Sequence, residues 1–380
     1  MKYMELANKR IYYLYKKWQN IWFVATVSSF IYVHIFNRFT MKRFSQYCVP
    51  DRKVNNLIKI AFVCDEMTWQ DFKSECNAVF VTPYNWREVF EKFCPDVFVC
   101  ESAWSGNAIY KDCWRGQIYK SKKVCYENRR SLLQIVDYCK EKGIPTVFWN
   151  KEDPTFWGNE TYNFVDTALR FEHILTTSEE CLPKYKRLGH KSVHVLMFGF
   201  SPNLFFFDSF VPKVKKAVFA GSWYADQPKR CAEMEEIFDM VLEQNIPIEI
   251  YNRQSDSPNP IHRFPEKYIP FLHPKVAFSE LGEIYRNAEY IININTVTDS
   301  STMFARRVFE AMACGCIVIS NPSVGLKTIF PGRIWFSDET FDYEWVSEIR
   351  SENIQEVLQN HTCKQRLEEV LKVCGLKINT

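Results

Sequence analysis

The sequence of 380 residues predicts an α/β protein built from parallel β-sheets with helices on their faces. Short, largely apolar stretches, such as residues 57–64 and 144–149, alternate with an amphipathic stretch at residues 128–142, as in doubly wound sheets. Several of these strands are followed by polar residues, and ligands gather at the carboxyl ends of strands in such sheets. The chain is also long enough for two domains that each bury a core.

The predicted elements follow in order along the chain. Strands are predicted over residues 57–64, 97–100, 144–149, 174–177, 193–197, 217–220, 247–251, 291–294 and 316–319. Helices are predicted over residues 85–93, 128–142, 279–288, 304–314 and 364–374. We divide the chain into an N-terminal extension (1–45), a first domain (46–205), a second domain (206–360) and a final helical segment (361–380), with a linker over residues 200–216.

Composition excludes several classes of protein. Hydrophobic residues make up 47% and aromatic residues 16% of the chain, which is typical of a globular protein. A net charge of +3 predicts no nucleic-acid partner. The 14 cysteines include no Cys-x-x-Cys pair, which favours reduced thiols in the cytoplasm over a disulfide framework or a zinc site. The 12 glycines form neither a Gly-x-Gly-x-x-Gly fingerprint nor a P-loop.

The N-terminal extension is basic and aromatic. Residues 21–36 form an apolar run of sixteen residues, shorter than a membrane span requires and interrupted by hydroxyl side chains and a histidine. Four cations precede it: Lys9, Arg10, Lys16 and Lys17. Three interpretations stay open: a helix packed on the protein body, an interfacial helix held by its basic flank, and a tilted span.

Residues 304–314 form the most informative stretch. At helical spacing, apolar side chains share one face, and Arg306, Arg307 and Glu310 share the other. Cations at a helix start bind anions, and a carboxylate beside them can hold ribose hydroxyls. The alternative is a solvated face with an Arg306–Glu310 ion pair.

The residues from Arg306 to Gly315 have the pattern Arg-x-x-x-Glu-Ala-x-Ala-Cys-Gly, which resembles the nucleotide-sugar site of GT-B glycosyltransferases and especially their spore-maturation (CgeB-like) branch. Three other segments resemble the same family: Glu101-Ser-Ala-Trp104, Trp149-Asn-Lys-Glu-Asp-Pro154 and Phe219-Ala-Gly-Ser-Trp-Tyr224. The resemblance spans most of residues 57–375. It implies a GT-B fold, with two Rossmann-like domains facing each other across a cleft, and a role for Glu310 in binding the donor ribose.

One departure from the family pattern concerns catalysis. Retaining members usually carry a second glutamate eight residues before the first, and this chain has Thr302 there. The glycines that follow in the family are replaced by Met303 and Ala305. The resemblance therefore supports donor binding more strongly than the details of catalysis.

Residues of the second domain are predicted to bind the donor. A strand that runs into a Gly-Ser turn and then a helix with two cations is a phosphate-binding layout. The predicted donor ligands are Gly221, Ser222, Lys229, Arg230, Thr302, Arg306, Arg307 and Glu310.

Loops of the first domain are predicted to bind the acceptor through Glu101, Trp104 and Asn150. Glu152 or Asp153 is a candidate general base for an acceptor hydroxyl. The alternative is that Asp153-Pro154 is a turn and Lys151–Glu152 a surface pair.

Asp299 is a rival candidate for the base, or an N-cap of the central helix. His190 and His194 are four residues apart, but no third ligand lies near them, so a structural role is favoured over a metal site. The sequence contains no Asp-x-Asp pair, and GT-B sites use helix N-termini and cations rather than a metal.

The predicted function is metal-independent transfer of a sugar from a nucleotide sugar, as substrate and with no cofactor, to a glycan or cell-envelope polysaccharide. The predicted location is the cytoplasm, with the N-terminal extension as a peripheral contact to the inner face of the membrane under the second interpretation above. Two alternatives stay open: a nucleotide-sugar epimerase of the same fold, and a non-catalytic glycan-assembly module.

Overall fold

The structure is a computed structural model that describes residues 22–31, 35, 58–106, 112–340 and 343–376. The contacts divide the chain into two compact units. The first unit comprises the residues up to Leu196 together with those from Leu367 onward, and the second unit is Met197–Arg366. Each unit contains one six-stranded sheet in which all neighbouring strands are parallel. The prediction of parallel α/β sheets is confirmed.

The sheet of the first unit has the order β2-β1-β3-β4-β5-β6. Its strands are β1 (Lys59–Val63), β2 (Asn77–Phe80), β3 (Val97–Glu101), β4 (Thr146–Asn150), β5 (His173–Thr176) and β6 (Val193–Val195). Every residue of β3 and β4 is buried, because helices cover both faces of a parallel sheet. This explains why both segments are nearly continuous apolar runs.

The helices of the first unit include three that the sequence did not indicate. They are α1 (Trp22–Phe30), α2 (Glu66–Phe72), α3 (Trp86–Phe93), α4 (Arg130–Lys142), α5 (Phe164–Ala168) and α6 (Leu182–Arg187). Helix α4 buries an apolar face at the predicted spacing and ends at Gly143, whose φ of +67° favours glycine. The three unpredicted helices are α2, which begins directly after Asp65, α5 and α6.

The sheet of the second unit has the order β12-β11-β10-β7-β8-β9. Its strands are β7 (Val214–Gly221), β8 (Ile248–Asn252), β9 (Leu272–His273), β10 (Ala288–Asn293), β11 (Ile317–Ser320) and β12 (Trp335–Phe336). Its helices are α7 (Pro228–Glu243), α8 (Leu281–Asn287), α9 (Arg307–Ala313), α10 (Val324–Ile329) and α11 (Tyr343–Asn360), and α12 (Cys363–Val373) follows. The strands β2, β9 and β12 were not predicted, and two of them contain only two residues.

The segment predicted as a linker packs into the second unit. Phe200 and Phe205 are fully buried in its apolar core, and β7 already begins at Val214. Helix α9 is shorter than predicted, because Asn295 Oδ1 accepts a hydrogen bond from Ala305 N and holds the chain in a loop up to the start of the helix. Phe304, from loop 294–306, and the two phenylalanines of the predicted linker therefore belong to the same apolar core.

Helix α1 packs one face and exposes another. Ala25 is fully buried, and Ser29 Oγ lies 2.8 Å from Tyr126 Oη. Phe23 is 67% exposed and Phe30 50% exposed. Within the described residues, no helix combines the length and the apolar character that crossing a membrane requires. The remainder of the N-terminal extension lies outside the described residues.

The 13 described cysteines are all free thiols. Ten of them are buried, and only Cys94 and Cys125 are classed as exposed among those described. Burial raises the pKa of buried thiols such as Cys64 and Cys100 well above its usual value. Most of the described cysteines therefore act as small apolar side chains.

A buried arginine joins α4 to α5. Arg129 is fully buried at the start of α4, and its guanidinium donates to Glu127 (2.8 Å), Asp166 (2.8 Å) and Thr167 Oγ1 (2.9 Å). The hydrogen bond with Arg129 lowers the pKa of Glu127. The two carboxylates retain some contact with water, so most of the free-energy cost of desolvation arises from burial of the arginine.

We expect Arg129→Met to lower the free energy of unfolding by about 3 kcal/mol, near the lower end of the range for breaking a buried charge pair. The reason is that both carboxylates and Thr167 lose their common donor. Urea unfolding followed by circular dichroism measures the change. Arg130→Met is the matched control, since Arg130 is exposed on the same helix. An equal effect of both substitutions would contradict this account.

Candidate functional site

Polar side chains collect at the carboxyl ends of the central strands of the second unit. Parallel pairing brings Asn293, at the end of β10, opposite Ser320, at the end of β11, and Asn293 Nδ2 donates to Ser320 Oγ over 3.0 Å. The end of β7 lies beside β10, and Ser222 follows it directly. This edge is where ligands bind in sheets of this type.

Two arginines lie at this edge without a carboxylate partner. Arg230, on α7, donates to the carbonyl of Ser222 over 3.1 Å. Arg307, the first residue of α9, donates to the carbonyls of Ala220 and Ile292, and its guanidinium lies 5.0 Å from the centre of the Phe219 ring. Burial, and then the charge of Arg307, lower the pKa of Arg230. Neither arginine forms an ion pair within the described residues, so the edge carries uncompensated positive charge.

The residues after β7 add a polar group and a steric limit. Ser222 is 3% exposed, and its hydroxyl has no hydrogen-bond partner in the described structure. A buried hydroxyl normally has a partner, so this one is available to a ligand. A Cβ atom on Gly221 would lie 2.3 Å from the Phe219 ring, which explains the glycine. Gly221, Ser222, Arg230 and Arg307, four of the predicted donor ligands, are therefore brought together at this edge.

Arg306 and Glu310 form an ion pair. Arg306 Nε donates to Glu310 Oε1 over 2.6 Å, and both side chains are largely buried. The Arg306 guanidinium also lies 4.5 Å from the centre of the Phe278 ring. The ion pair of the alternative interpretation is present, but it is buried rather than solvated. Arg306 is thus paired with Glu310, unlike Arg230 and Arg307.

Loop 294–306 is held by its own polar residues. The buried Ser300 Oγ accepts from Met303 N (3.1 Å) and Thr302 N (3.4 Å). Asp299 is exposed and eight residues before α9, so its predicted alternative role as the N-cap of that helix is wrong. Asn321, after β11, bonds to Asn295 N (2.8 Å) and Asn295 O (3.0 Å).

Lys229 differs from the other predicted donor ligands. Its side chain is 81% exposed and lies 3.8 Å from Glu233. A cation in this position is well solvated and contributes little fixed charge to the edge.

A carboxylate that the sequence did not single out as a ligand organises the edge of the first unit. Asp65, after β1, accepts hydrogen bonds from the backbone N–H groups of Trp104 (2.7 Å), Ser105 (2.9 Å) and Gly106 (2.7 Å). Its oxygens therefore fix the loop after β3. No local pattern in the sequence links residue 65 to residues 104–106.

Glu101 and Lys151 form a buried pair. Lys151 Nζ lies 2.5 Å from Glu101 Oε2 and donates to Thr68 Oγ1 over 2.8 Å. Glu101 Oε1 accepts from Asp65 N over 2.7 Å. The proposed alternative of a Lys151–Glu152 surface pair is wrong, because the lysine pairs with Glu101.

Glu152 and Asp153 have different surroundings. Glu152 Oε1 accepts from Trp104 Nε1 over 2.8 Å. Asp153 is 1% exposed and accepts from Asn150 Nδ2 (2.8 Å), Thr176 Oγ1 (2.8 Å) and Tyr185 Oη (3.0 Å). Burial raises the pKa of each carboxyl to about 7. Asp153 and Asn150 are committed to a buried network, whereas Glu152 has one donor.

Trp104 belongs to an aromatic cluster at the same edge. Its ring centre lies 5.2 to 6.0 Å from those of four other rings, mostly in edge-to-face arrangements. The four rings are Tyr119, Phe156, Tyr162 and Phe164. Only Phe164 is fully buried, so the cluster presents partly exposed aromatic surface beside Glu152.

The two spaced histidines do not converge. His190 Nε2 lies 2.9 Å from the carbonyl of Phe171, and His194 Nε2 lies 3.1 Å from Ser192 Oγ. Among the described residues, no group of three or more His, Cys, Asp or Glu side chains is arranged to hold a metal ion.

Comparison with known proteins agrees with this architecture. Residues 245–372 match a family model described as glycosyl transferase-like. No relative is found among the curated proteins. Anabaena Alr3699/HepE in complex with UDP-glucose is 12% identical, with a TM-score of 0.51 over 84% of this chain and 99% of that chain. A glycosyltransferase from Rickettsia africae is 12% identical, with a TM-score of 0.51 over 84% of this chain and 98% of that chain.

A third solved structure is an alpha-glucosyltransferase in complex with UDP and a 13-mer DNA containing an HMU base. It is 10% identical, with a TM-score of 0.57 over 83% of this chain and 99% of that chain. These likenesses confirm the predicted GT-B fold. The family model matched by residues 245–372 confirms the prediction of a glycosyltransferase. The likeness to the CgeB-like branch stays a prediction.

Proposed function

We propose that this glycosyltransferase takes a nucleoside diphosphate sugar as donor and holds it at the carboxyl edge of the second unit. The observation that carries the proposal is the pair of guanidinium groups, Arg230 and Arg307, that have no carboxylate partner and lie beside the unpartnered Ser222 hydroxyl. Two charges of one sign are best stabilised by a ligand of the opposite sign. Structural neighbours in complex with UDP or UDP-glucose support a uridine diphosphate sugar.

Glu310 is the proposed ligand of the donor ribose. Its carboxylate is buried on α9, the helix that also carries Arg307, and one of its oxygens accepts from Arg306. A carboxylate accepts more than one hydrogen bond, so hydroxyl donors of a ribose can join Arg306. The negative charge of the diphosphate would be neutralised by Arg230 and Arg307 as it leaves.

We expect Glu310→Gln to weaken binding of UDP by about 1–3 kcal/mol, because a charge-assisted hydrogen bond is replaced by a neutral one. Glutamine keeps the size of the side chain and an acceptor for Arg306. Calorimetric titration measures the affinity. Glu283→Gln, an exposed position on α8, is the control. Equal affinities of the parent protein and Glu310→Gln would refute the role.

The titrations are run in EDTA because we also propose that donor binding and transfer need no metal. The support is the arginine pair, which supplies the charge that a divalent cation would otherwise supply. Loss of sugar transfer in EDTA, restored by magnesium or manganese, would overturn this part of the proposal.

The proposed acceptor is a carbohydrate, and the proposed base is Glu152. The partly exposed rings of the Trp104 cluster offer apolar faces to pyranose rings, and Glu152 lies against the Trp104 indole. A carboxyl group with a pKa of about 7 is well matched to proton abstraction near neutral pH. In the reaction an acceptor hydroxyl gives its proton to Glu152 as its oxygen attacks the anomeric carbon, and the nucleoside diphosphate leaves.

We expect Glu152→Gln to slow transfer by about 10²–10⁴-fold while leaving UDP affinity unchanged. In the parent protein the rate should rise as pH increases through about 7, since the base must be deprotonated. That rise should be absent in Glu152→Gln. Initial rates and calorimetry between pH 5.5 and 8.5 test both statements.

Asp153→Asn is the matched comparison for this experiment. Because Asp153 accepts three buried hydrogen bonds, its substitution should lower thermal stability as well as rate. Near-normal transfer by Glu152→Gln would eliminate it as the base and make Asp299 the next candidate. Loss of UDP binding in Glu152→Gln would mean that this loop faces the nucleotide, and would contradict the proposal that the first unit binds the acceptor.

Product analysis separates this function from the two alternatives. A transferase forms a glycosylated acceptor and UDP, an epimerase converts the donor sugar without an acceptor, and a glycan-assembly module turns over neither. A panel of oligosaccharides from cell-envelope polysaccharide is the first choice of acceptor. DNA is the comparison acceptor, because one neighbour is in complex with DNA. The net charge of +3 favours the carbohydrate.

The proposed partner of the N-terminal extension is an anionic membrane surface. Phe23, Val27 and Phe30 are all exposed, and their spacing of four and three residues puts them on one face of α1. The sequence before α1 is rich in lysine and arginine. Apolar side chains beside basic residues are typical of interfacial helices, which supports a cytoplasmic enzyme at the inner face of the membrane.

We expect removal of residues 1–45 to abolish binding to vesicles that contain anionic lipid while leaving UDP affinity unchanged. Sedimentation with vesicles measures the binding, and neutral vesicles are the control. In the full-length chain, Phe23→Ser combined with Phe30→Ser should weaken the binding as well. Unchanged partition of the truncated protein would eliminate the membrane contact. A truncated protein that does not fold would favour the packed-helix interpretation of α1.

A further inference from the structure

Three arginine residues meet at three consecutive carbonyl groups. The carbonyl of Ala220 accepts from the Arg307 side chain, that of Gly221 accepts from the backbone N–H of Arg253 over 3.0 Å, and that of Ser222 accepts from the Arg230 side chain over 3.1 Å. The first two carbonyls close β7, and Ser222 follows it. Arg253 follows β8, which pairs with β7 through Gly221 and Asn252. All three residues therefore bond to the backbone of residues 220–222, and the hydroxyl of Ser222 has no hydrogen-bond partner in the described structure.

The three side chains differ in freedom. The guanidinium groups of Arg230 and Arg307 are fixed on backbone carbonyls, and each also lies over an aromatic ring. Arg253 uses only its backbone N–H for the bond to Gly221, and its side chain is exposed. In the described part of the chain this side chain takes part in no hydrogen bond or ion pair. It is thus able to reach a ligand that the other two hold in place.

The neighbouring carboxylates do not balance these charges. Glu249, on β8, pairs with Lys216 (3.0 Å) and accepts from Tyr251. Glu233, on α7, accepts from Asn321 (2.7 Å) and lies 3.8 Å from Lys229. Glu310 is paired with Arg306, as described above. Asp226, on the loop before α7, is exposed to solvent. Each of the first three carboxylates has a partner of its own, so the group of three arginines stays positive.

We infer that Arg253 is a third cation of the donor site, which binds the diphosphate together with Arg230 and Arg307 and sets the preference for a diphosphate over a monophosphate. The inference rests on the proposed donor site and adds a residue that no sequence motif predicts. A nucleoside diphosphate carries more negative charge than a monophosphate, so a third guanidinium stabilises it selectively. Ser222 Oγ supplies a neutral donor at the same place.

The test compares inorganic pyrophosphate, UDP and UMP as ligands of the parent protein and of Arg253→Gln, Arg253→Lys and Arg230→Gln. We expect Arg253→Gln to weaken the binding of UDP and pyrophosphate by about 10- to 100-fold, as for loss of a charged hydrogen bond. The binding of UMP should weaken much less. Arg253→Lys should recover part of the loss, since it keeps the charge but not the two-pronged geometry. Arg263 is an exposed arginine of the same unit, and Arg263→Gln should leave the affinity for all three ligands unchanged.

The outcomes separate this inference from the proposal it rests on. If Arg253→Gln binds UDP like the parent while Arg230→Gln binds it poorly, the donor site stands and the inference is overturned. If Arg253→Gln weakens UDP and UMP equally, Arg253 does not recognise the second phosphate, and the inference is again overturned. If the parent binds neither UDP nor pyrophosphate, the donor site itself is wrong, and the inference is overturned with it.

Discussion

The end of β7 depends on hydrogen bonds from arginines to backbone carbonyls. Guanidinium groups satisfy the carbonyls of Ala220 and Ser222, and the backbone N–H of Arg253 satisfies that of Gly221 by continuing the pairing with β8. The same bonds hold Arg230 and Arg307 in fixed positions before any ligand arrives. Charges that need no rearrangement stabilise a developing anion more effectively than mobile ones. Backbone carbonyls of the fold thus position the charged groups of the site.

In the first unit, negatively charged side chains hold the loops at the sheet edge in place. Its strand ends carry carboxylates that accept from backbone N–H groups or hydroxyls: the partly buried Asp65 from the loop after β3, and the buried Asp153 from Thr176 and Tyr185. Glu101 is neutralised by Lys151. Glu152 differs because its environment is apolar and aromatic, which is the physical origin of its raised pKa. One unit therefore presents positive charge at its sheet edge, and the other presents carboxylates.

Much of the fold was predictable because burial on both faces makes strands such as β3 and β4 apolar throughout. The strands β9 and β12 were not predictable, since two residues carry no periodicity. In the site, helical spacing correctly put Arg306 beside Glu310 and allowed their ion pair, but spacing alone does not say that the pair is buried rather than solvated. The contacts of Asp65 and Arg253 were not predictable, because they join segments that are distant in the sequence. The prediction of a linker at residues 200–216 was wrong, because Phe200 and Phe205 join the core.

The burial of the cysteines has a practical consequence. A thiol reacts through its thiolate, and burial both hides the sulfur and suppresses ionisation in groups such as Cys100. Among the described thiols, Cys94 and Cys125 alone are classed as exposed, and both belong to the first unit. Cysteine-directed fluorophores or spin labels would therefore attach chiefly to that unit of the described structure. The native sequence thus offers attachment points for distance measurements without removal of the buried thiols.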